Sequence, residues 1–333
     1  MGSRIGINGF GRVGRTFFRI ARERGMEVVA VNDLTDTATL AHLLAHDSTY
    51  GRLAADVQVE DGAILVDGQP LQVTAQREPA KLDWSALGVD LVIESTGRFR
   101  TREAAAVHLA AGARKVLLSA PGKQVDVTIV LGVNEADYDP QRHHVISNAS
   151  CTTNCVAPMA KVLNDAFGLD QGLMTTIHAY TSDQMLLDGP HKDPRRARSA
   201  AVNIIPTSTG AARATGQVVP ALAGRLDGLA VRVPVEDGSL TDLTALLTCE
   251  VTADDVNAAF AAAAESGPLA GYLRYTAAPM VSRDVIGDPA SCVFDSSLTL
   301  ASGRLVKVFG WYDNEWGYAS RLVDLAEYVT ARG

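Results

Sequence analysis

The sequence predicts an α/β protein whose first half forms a doubly wound, mostly parallel sheet. Two observations carry this prediction. Short apolar runs alternate with helical patterns through the first 150 residues, an order typical of parallel strands joined by crossover helices. The chain has 333 residues, which is enough for two domains with separate cores.

Composition limits the class of protein. Hydrophobic residues make up 47% and charged residues 20% of the chain, as in soluble globular proteins. The net charge of −8 argues against a general nucleic-acid or membrane-surface binder. No apolar run approaches the roughly 20 residues that span a bilayer, and the N-terminus leads into a strand pattern without room for a signal peptide. We therefore expect no nucleic-acid partner and no membrane association.

The cysteines indicate a reduced, cytoplasmic setting. None of them forms a C-x-x-C pair or has a histidine at zinc-ligand spacing, so we expect neither a metal site nor a disulfide framework. The four are Cys151, Cys155, Cys249 and Cys292.

A glycine-rich turn joins the first predicted strand to the first predicted helix. Gly9, Gly11 and Gly14 form a G-x-G-x-x-G pattern, and Asp33 follows about 20 residues later at the end of a second strand. Gly9 permits a tight turn, Gly11 lets the backbone approach a pyrophosphate, and Gly14 lets helix and strand pack closely. Asp33 would accept hydrogen bonds from ribose hydroxyls and repel a 2′-phosphate. The pattern predicts a Rossmann-type site for NAD rather than NADP; the alternative is a structural turn beside a solvated acid.

Further strands are predicted at residues 91–97, 115–121, 127–133 and 144–147, with a helix around 104–111. Ligands of such sheets bind at the carboxyl ends of the strands. The segments 95–97 and 119–121 lie at such ends. They are candidates to line the cofactor site, although each alone is more often an ordinary turn.

Cys151 lies at a predicted strand-to-helix junction. Apolar residues follow it at helical spacing as far as Gly168, and Ser150 is a plausible N-cap. A helix N-terminus favours the thiolate, which is the nucleophilic form. His178, in a β-prone run, is its candidate base, because cysteine and histidine recur as nucleophile and base.

Two further patterns suit anions. Hydroxyl residues precede Gly210, and Arg232 stands between valines in a predicted strand, where its charge requires an anionic partner. A bound phosphate is one such partner. The cation-rich loop at 188–198 is open to another interpretation, a solvated or subunit-contact surface.

The chain resembles the phosphorylating, NAD-dependent glyceraldehyde-3-phosphate dehydrogenase family. The resemblance implies an NAD domain over residues 1–150, completed by a C-terminal helix at 317–333, and an α+β catalytic domain with a mostly antiparallel sheet over 151–316. The matching segments run nearly end to end in the family order: 8–14, 119–121, 147–155, 178–181, 203–211, 232–234 and 311–318.

The resemblance also implies a mechanism. Cys151 would attack the aldehyde of glyceraldehyde 3-phosphate, and His178 would take the hydroxyl proton as hydride leaves for NAD. Inorganic phosphate would then attack the resulting thioester. For the substrate phosphate the matching residues are Thr181, Arg196 and Arg232, and for the attacking phosphate they are Ser150, Thr152, Thr209 and Gly210. For NAD they are Gly9, Gly11, Arg12, Val13, Asp33, Arg77, Ser119, Asn314 and Tyr318. Family members are usually homotetramers.

Some residues depart from the family pattern, and other functions stay open. Asp237 and Gly238 form a turn signal where a β-branched stretch is common, and Pro194 replaces a bulky residue. These departures suggest a specialised, inhibitor-tolerant paralogue as one alternative. Others are an erythrose-4-phosphate dehydrogenase, an idle NAD-binding scaffold or thiol sensor, and aspartate-semialdehyde dehydrogenase, which does not explain the segment 147–155.

Overall fold

The computed structural model describes residues 3–333, which divide into two compact units. The first unit holds the chain up to Ile129, together with Ala136–Ala149 and Ala319–Gly333. The second unit holds Val130–Glu135 and Ser150–Tyr318. Among the described residues, no helix has the length and apolarity to cross a bilayer.

Parallel strands make up most of the main sheet of the first unit. Among residues 3–333 this sheet has nine strands in the order β10-β11-β9-β8-β1-β2-β7-β6-β5, and the pairs from β10 to β7 are parallel. Its outer strands β5 and β6 continue β7 as antiparallel hairpins, and β3 pairs with β4 separately. The strands are β1 (Ile5–Asn8), β2 (Val28–Asn32), β3 (His46–Asp47), β4 (Gly51–Arg52), β5 (Val57–Glu60), β6 (Ala63–Val66), β7 (Gln69–Thr74), β8 (Leu91–Glu94), β9 (Lys115–Leu118), β10 (Val127–Thr128) and β11 (Val145–Ser147). The doubly wound parallel sheet is confirmed.

Several predicted elements of this unit are shorter than expected. The strands predicted at 91–97 and 115–121 end at Glu94 and Leu118. The strand predicted at 127–133 ends at Thr128, because a local turn follows: Val130 donates its N–H to Asn134 Oδ1 at 2.9 Å, and Val133 donates to the Val130 carbonyl. The helix predicted around 104–111 is divided at Ala106 into two short pieces. The helices are α1 (Arg12–Glu23), α2 (Thr37–Ala45), α3 (Arg102–Ala105) and α4 (Val107–Ala110).

The second unit is built on a mostly antiparallel sheet, as expected. Its strand order is β13-β14-β12-β15-β19-β17-β16, with β18 beside β19, and in the described chain its parallel pairs are β12–β14 and β16–β17. The strands are β12 (Leu169–Ala179), β13 (Ile205–Ser208), β14 (Leu226–Val233), β15 (Ser239–Leu247), β16 (Leu273–Thr276), β17 (Cys292–Asp295), β18 (Leu300–Ser302) and β19 (Leu305–Tyr312). The helices are α5 (Cys151–Phe167), α6 (Ala211–Val218) and α7 (Ala253–Glu265). The last helix is α8 (Trp316–Thr330), which belongs to the first unit from Ala319 onward.

The caps of α5 follow from its sequence. Ser150 Oγ accepts a hydrogen bond from the Thr153 N–H at 3.0 Å, which is the geometry of an N-cap. Gly168 ends the helix with φ +69°, where a residue with a Cβ would be strained. Cys151 is therefore the first residue of the helix, as predicted. The turn signal at Gly238 is also confirmed, since φ is +83° there and β15 begins at the next residue.

Candidate active site

The glycine turn has the geometry that its sequence predicts. Gly9 has φ +94°, and a Cβ there would lie 2.7 Å from the Thr96 nitrogen. A Cβ on Gly14 would lie 2.3 Å from the Gly9 carbonyl oxygen, so neither position accepts a side chain. Gly11 has no atom within 4 Å of its Cβ position. That open space is what a pyrophosphate would need to approach the first turn of α1.

A cavity of about 300 Å³ opens beside this turn, within the first unit. Gly9, Gly11, Asp33 and Arg77 are among the residues that line it. Arg12, Val13 and Ser119 are not in its lining. The lining lies at the carboxyl ends of β1, β2 and β8, the edge at which doubly wound sheets bind nucleotides.

Asp33 holds the turn as well as facing the cavity. Its Oδ2 accepts the Phe10 N–H at 2.8 Å, and its Oδ1 accepts the Thr35 N–H at 3.0 Å. The predicted ribose acceptor is thus fixed by two backbone donors. Arg12 donates to Asp47 Oδ2 at 2.6 Å, so its guanidinium is paired within the same unit.

Cys151 and His178 come together in the second unit. Cys151 Sγ lies 3.4 Å from His178 Nε2. His178 Nδ1 lies 2.6 Å from the Ala179 carbonyl oxygen, which can only accept, and 3.1 Å from Arg232 Nη1. The two protons of Nη1 have closer acceptors in the Ala179 carbonyl and Thr181 Oγ1, so the contacts favour a proton on Nδ1. Nε2 is then the unprotonated nitrogen, and its lone pair faces the sulfur. The imidazole is therefore placed to accept the thiol proton.

Two opposing effects act on the thiol. Burial raises the pKa of Cys151 to about 11, whereas the Arg232 guanidinium lowers it. Burial also lowers the pKa of His178 to about 3, and the charge of Arg232 adds to that shift. The helix N-terminus favours the thiolate, but burial outweighs it. Both shifts favour the neutral pair, thiol and imidazole. The proton therefore leaves Cys151 only as the sulfur reacts, and Nε2, at 3.4 Å, is placed to take it.

Arg232 is placed by the sheet. His178 and Arg232 are register partners in the parallel pair β12–β14. Arg232 Nη1 donates to the Ala179 carbonyl at 2.9 Å and to Thr181 Oγ1 at 2.9 Å. Its Nε is buried without a hydrogen-bond partner. A buried guanidinium with a spare donor is suited to an anion, as the sequence suggested.

Arg196 joins the same cluster through an acid. Its Nη1 donates to Asp183 Oδ2 at 2.5 Å, and its Nε donates to Thr207 Oγ1 at 2.9 Å. Thr181 Oγ1 donates to the other oxygen of Asp183. Burial raises the pKa of Asp183, but the Thr181 hydroxyl and the Arg196 guanidinium outweigh it, so the net shift is downward. The two predicted cations and the predicted threonine therefore meet around an ionised carboxylate.

The second group of predicted anion ligands lies at two helix starts. Ser150 and Thr152 flank Cys151 at α5, and Thr209 and Gly210 precede α6, which packs against α5. Thr209 Oγ1 accepts the Ala211 N–H at 3.2 Å. Helix starts supply free N–H groups and partial positive charge.

Asn314 is fixed with one donor to spare. Its Oδ1 accepts a hydrogen bond from Ser239 Oγ at 2.6 Å, and Ser239 Oγ in turn accepts the Ala179 N–H at 3.1 Å. Asn314 Nδ2 is buried without a partner, which leaves an N–H for a ligand carbonyl. Tyr318 is 5% exposed.

Three residues of the site were not singled out from the sequence. Asp183 lies two positions after Thr181, and an acid so close to a predicted phosphate ligand was the available signal. Tyr312 shares hydrogen bonds with Thr152 at 2.9 Å and Thr176 at 2.8 Å, linking α5 to β12. Ser239 gave no signal, since a serine at a strand start is ordinary.

Comparison with known proteins shows the family of the chain. The model of the glyceraldehyde 3-phosphate dehydrogenase NAD binding domain matches residues 3–102, and the model of the C-terminal domain of the same family matches residues 150–314. The glyceraldehyde-3-phosphate dehydrogenase of Streptomyces coelicolor is 61% identical over 329 residues, which is 98% of each chain. That of Geobacillus stearothermophilus is 56% identical over 335 residues, the whole of each chain. The chain belongs to the glyceraldehyde 3-phosphate dehydrogenase family.

Proposed function

We propose that this chain oxidises D-glyceraldehyde 3-phosphate to 1,3-bisphosphoglycerate with NAD and inorganic phosphate, as a step of glycolysis. The observation that carries the proposal is the 3.4 Å contact between Cys151 Sγ and His178 Nε2, beside an arginine with an unpartnered donor. Membership of the family supports the NAD-dependent oxidation of an aldehyde.

Cys151 and His178 carry the covalent chemistry. The sulfur attacks the aldehyde carbon as Nε2 takes the thiol proton and passes it to the aldehyde oxygen, which gives a hemithioacetal. His178 then removes the hydroxyl proton while the carbon loses a hydride. The product is a thioester, and attack by inorganic phosphate releases the acyl phosphate and restores the thiolate. Bound NAD supplies the hydride acceptor.

Two groups of side chains hold the anions. Arg232, Arg196 and Thr181 bind the phosphate of the substrate, and the two helix starts bind the attacking phosphate. The spare N–H of Arg232 supports the first assignment. Ser150, Thr152, Thr209 and Gly210 form the second group.

The glycine turn and its cavity bind NAD. Gly9 and Gly11 accommodate the pyrophosphate, Asp33 accepts from the adenosine ribose, and Arg77 flanks it. Asn314 Nδ2 donates to the carboxamide of the nicotinamide. Arg12, Val13, Ser119 and Tyr318 complete the proposed set. The corresponding domains are residues 1–150 with 317–333 and residues 151–316.

We also propose a cytoplasmic homotetramer. Leu186, Leu187, Val202 and Ile204 are 70–77% exposed and lie in the segment between β12 and β13. Several large apolar side chains exposed in one segment are typical of subunit interfaces. The four cysteines are free thiols, as in a reducing compartment.

The test follows NADH formation at 340 nm with glyceraldehyde 3-phosphate and NAD, with and without phosphate. Steady turnover that requires phosphate is expected. Without phosphate we expect one burst, stoichiometric with enzyme, as the thioester accumulates at Cys151. The Cys151→Ser variant is the control, and it should keep NAD binding and lose turnover by more than about a thousandfold.

Other outcomes would change the assignment. Higher kcat/KM with erythrose 4-phosphate would identify that sugar as the substrate. Unchanged turnover in Cys151→Ser would remove the covalent mechanism. Folded wild-type protein that binds NAD and turns over neither sugar would favour a scaffold or thiol sensor.

A further inference from the structure

A buried polar network in the first unit has no part in the roles above. Its centre is Glu94, the last residue of β8, with His108 of α4; they are 3% and 0% exposed. Glu94 Oε2 accepts Asn8 Nδ2 at 2.6 Å and His108 Nε2 at 3.0 Å. Glu94 Oε1 accepts the Thr96 N–H at 2.8 Å and the Thr96 hydroxyl at 2.5 Å. Four donors thus satisfy a carboxylate that solvent does not reach.

The neighbouring indole fixes the protonation of His108. Trp84 Nε1 lies 3.0 Å from His108 Nδ1, and an indole nitrogen can only donate. Nδ1 therefore carries no proton, and the single imidazole proton is on Nε2, directed at Glu94. His108 is a neutral donor whose orientation is set by Trp84, which is 0% exposed.

The partners of Glu94 are parts of the nucleotide cavity. Asn8 and Thr96 line it, and Asn8 is the register partner of Glu94 in the pair β1–β8. The missing Cβ of Gly9 brings the glycine turn onto the Thr96 backbone nitrogen. Ser95 Oγ donates to the Gly9 carbonyl at 2.6 Å, so the turn is also tied to the residue after Glu94. Displacement of Glu94 would displace Thr96, and with it the surface on which the glycine turn packs.

Asn8 extends the network to the next strand. Asn32 Nδ2 donates to Asn8 Oδ1 at 2.8 Å, and Asn32 Oδ1 accepts the Gln76 N–H at 2.8 Å. Asn32 and Gln76 also line the cavity. The ends of β8, β1 and β2 are therefore joined by a chain of side-chain hydrogen bonds from Glu94 through Asn8 to Asn32.

We propose that His108 is a positioning residue for the dinucleotide: through Glu94 it holds the strand ends and the glycine turn in the arrangement that binds NAD. His108 itself is not among the residues that line the cavity. The inference rests on the proposed function, because it takes NAD as the ligand of this cavity.

The test compares His108→Leu with His108→Gln in the full-length chain. Leucine removes the donor to Glu94, so the Kd for NAD should rise about tenfold, as expected when a buried acceptor loses its partner. Glutamine keeps a donor and should restore the Kd to within about threefold of wild type. Direct titration with NAD reads the Kd without turnover. Wild-type protein that binds NAD but has no activity would contradict the proposed function and leave this comparison valid.

Two measurements separate positioning from general loss of structure. KM for glyceraldehyde 3-phosphate and the rate of Cys151 alkylation by iodoacetamide report on the second unit and should not change. Leu82→Ala is the matched control, because Leu82 packs in the same core cluster as Trp84. It should lower Tm and leave the Kd for NAD as in wild type.

A third variant keeps the proposal testable if His108→Leu fails to fold. Trp84→Phe removes the indole N–H, which frees the imidazole to place its proton on either nitrogen. Part of the population then loses the donor to Glu94, and the Kd should rise severalfold. Equal Kd values in wild type, Trp84→Phe and every folded His108 variant would overturn the proposal, as would a rise in Leu82→Ala matching that of His108→Leu.

Discussion

The pairing of Cys151 with His178 makes the reactivity of one side chain depend on the other. Burial raises the pKa of the Cys151 thiol to about 11, so little thiolate forms at pH 7 without an acceptor. In His178→Asn the rate of alkylation by iodoacetamide at pH 7 should fall by about a hundredfold. The deficit should shrink as the pH rises toward 10, because hydroxide then removes the thiol proton.

The measurement is loss of free thiol over time between pH 6 and pH 10. His144→Asn is a suitable control, since His144 lies in the first unit and has no place in the site. A rate ratio of wild type to His178→Asn that is the same at every pH would exclude the imidazole as proton acceptor.

For single residues, a prediction from sequence succeeded when its physical cause lies in neighbouring residues of the chain. Ser150 as N-cap follows from chain neighbours, and the structure confirms it. The tautomer of His178 depends on the Ala179 carbonyl and on the distance to Cys151, which the fold alone determines. Asp183 escaped notice because its one signal in the sequence, closeness to Thr181, does not reveal the contact with Arg196.

At the scale of elements, the glycine turn offers a matched pair of substitutions. Gly9→Ala places a methyl group 2.7 Å from the Thr96 nitrogen at φ +94°, so it should lower the free energy of unfolding by at least about 1 kcal/mol and weaken NAD binding. Gly11→Ala has open space and φ −73°, so it should leave Tm unchanged. It should still weaken NAD binding, because the methyl group occupies the approach of the pyrophosphate.

Thermal unfolding of both variants measures their Tm, and titration with NAD measures their affinity for the dinucleotide. Normal NAD affinity in Gly11→Ala would show that the pyrophosphate does not approach this backbone. A Gly9→Ala protein as stable as wild type would mean that the turn relaxes away from Thr96.

The periodicity of apolar residues predicted which helices and strands exist better than it predicted where they end. Helix α5 was predicted with both caps, because Ser150 and Gly168 act on their own neighbours. The strand predicted at 127–133 was too long, since the Asn134 side chain captures the Val130 N–H and turns the chain. Apolar residues continue through that turn, so hydrophobic pattern alone could not reveal it.

For the whole molecule, the proposed assembly gives the clearest prediction. A homotetramer would have four times the chain mass of 35.2 kDa by light scattering. Leu187→Asp combined with Ile204→Asp should lower that mass, because both side chains are at least 70% exposed in the isolated chain and charge at an apolar interface is unfavourable. Val59→Asp is the control, an exposed apolar position in the first unit. A monomeric wild type would contradict the proposal.

The boundary between the two units was harder to predict from the sequence than the residues that carry the chemistry. No linker or change of composition marks residue 150, and the segment Val130–Glu135 belongs to the second unit although it precedes that point. The motifs were nevertheless sufficient to indicate the family, since glycine turn, thiol and arginines each require a particular residue type. Spatial grouping, by contrast, depends on contacts between segments distant in the chain.

Asp183 has a consequence for the choice of substrate. Its carboxylate already accepts from Thr181 Oγ1 and Arg196 Nη1, so an anion that binds these two atoms must exchange with an internal one. An anion of single charge gains little from such an exchange. A phosphate monoester carries nearly two charges at neutral pH and three acceptor oxygens. Its charge and its hydrogen-bonding capacity both favour the exchange. The proposed phosphate site would therefore discriminate by charge, and a sugar acid would be a poor competitor for a sugar phosphate.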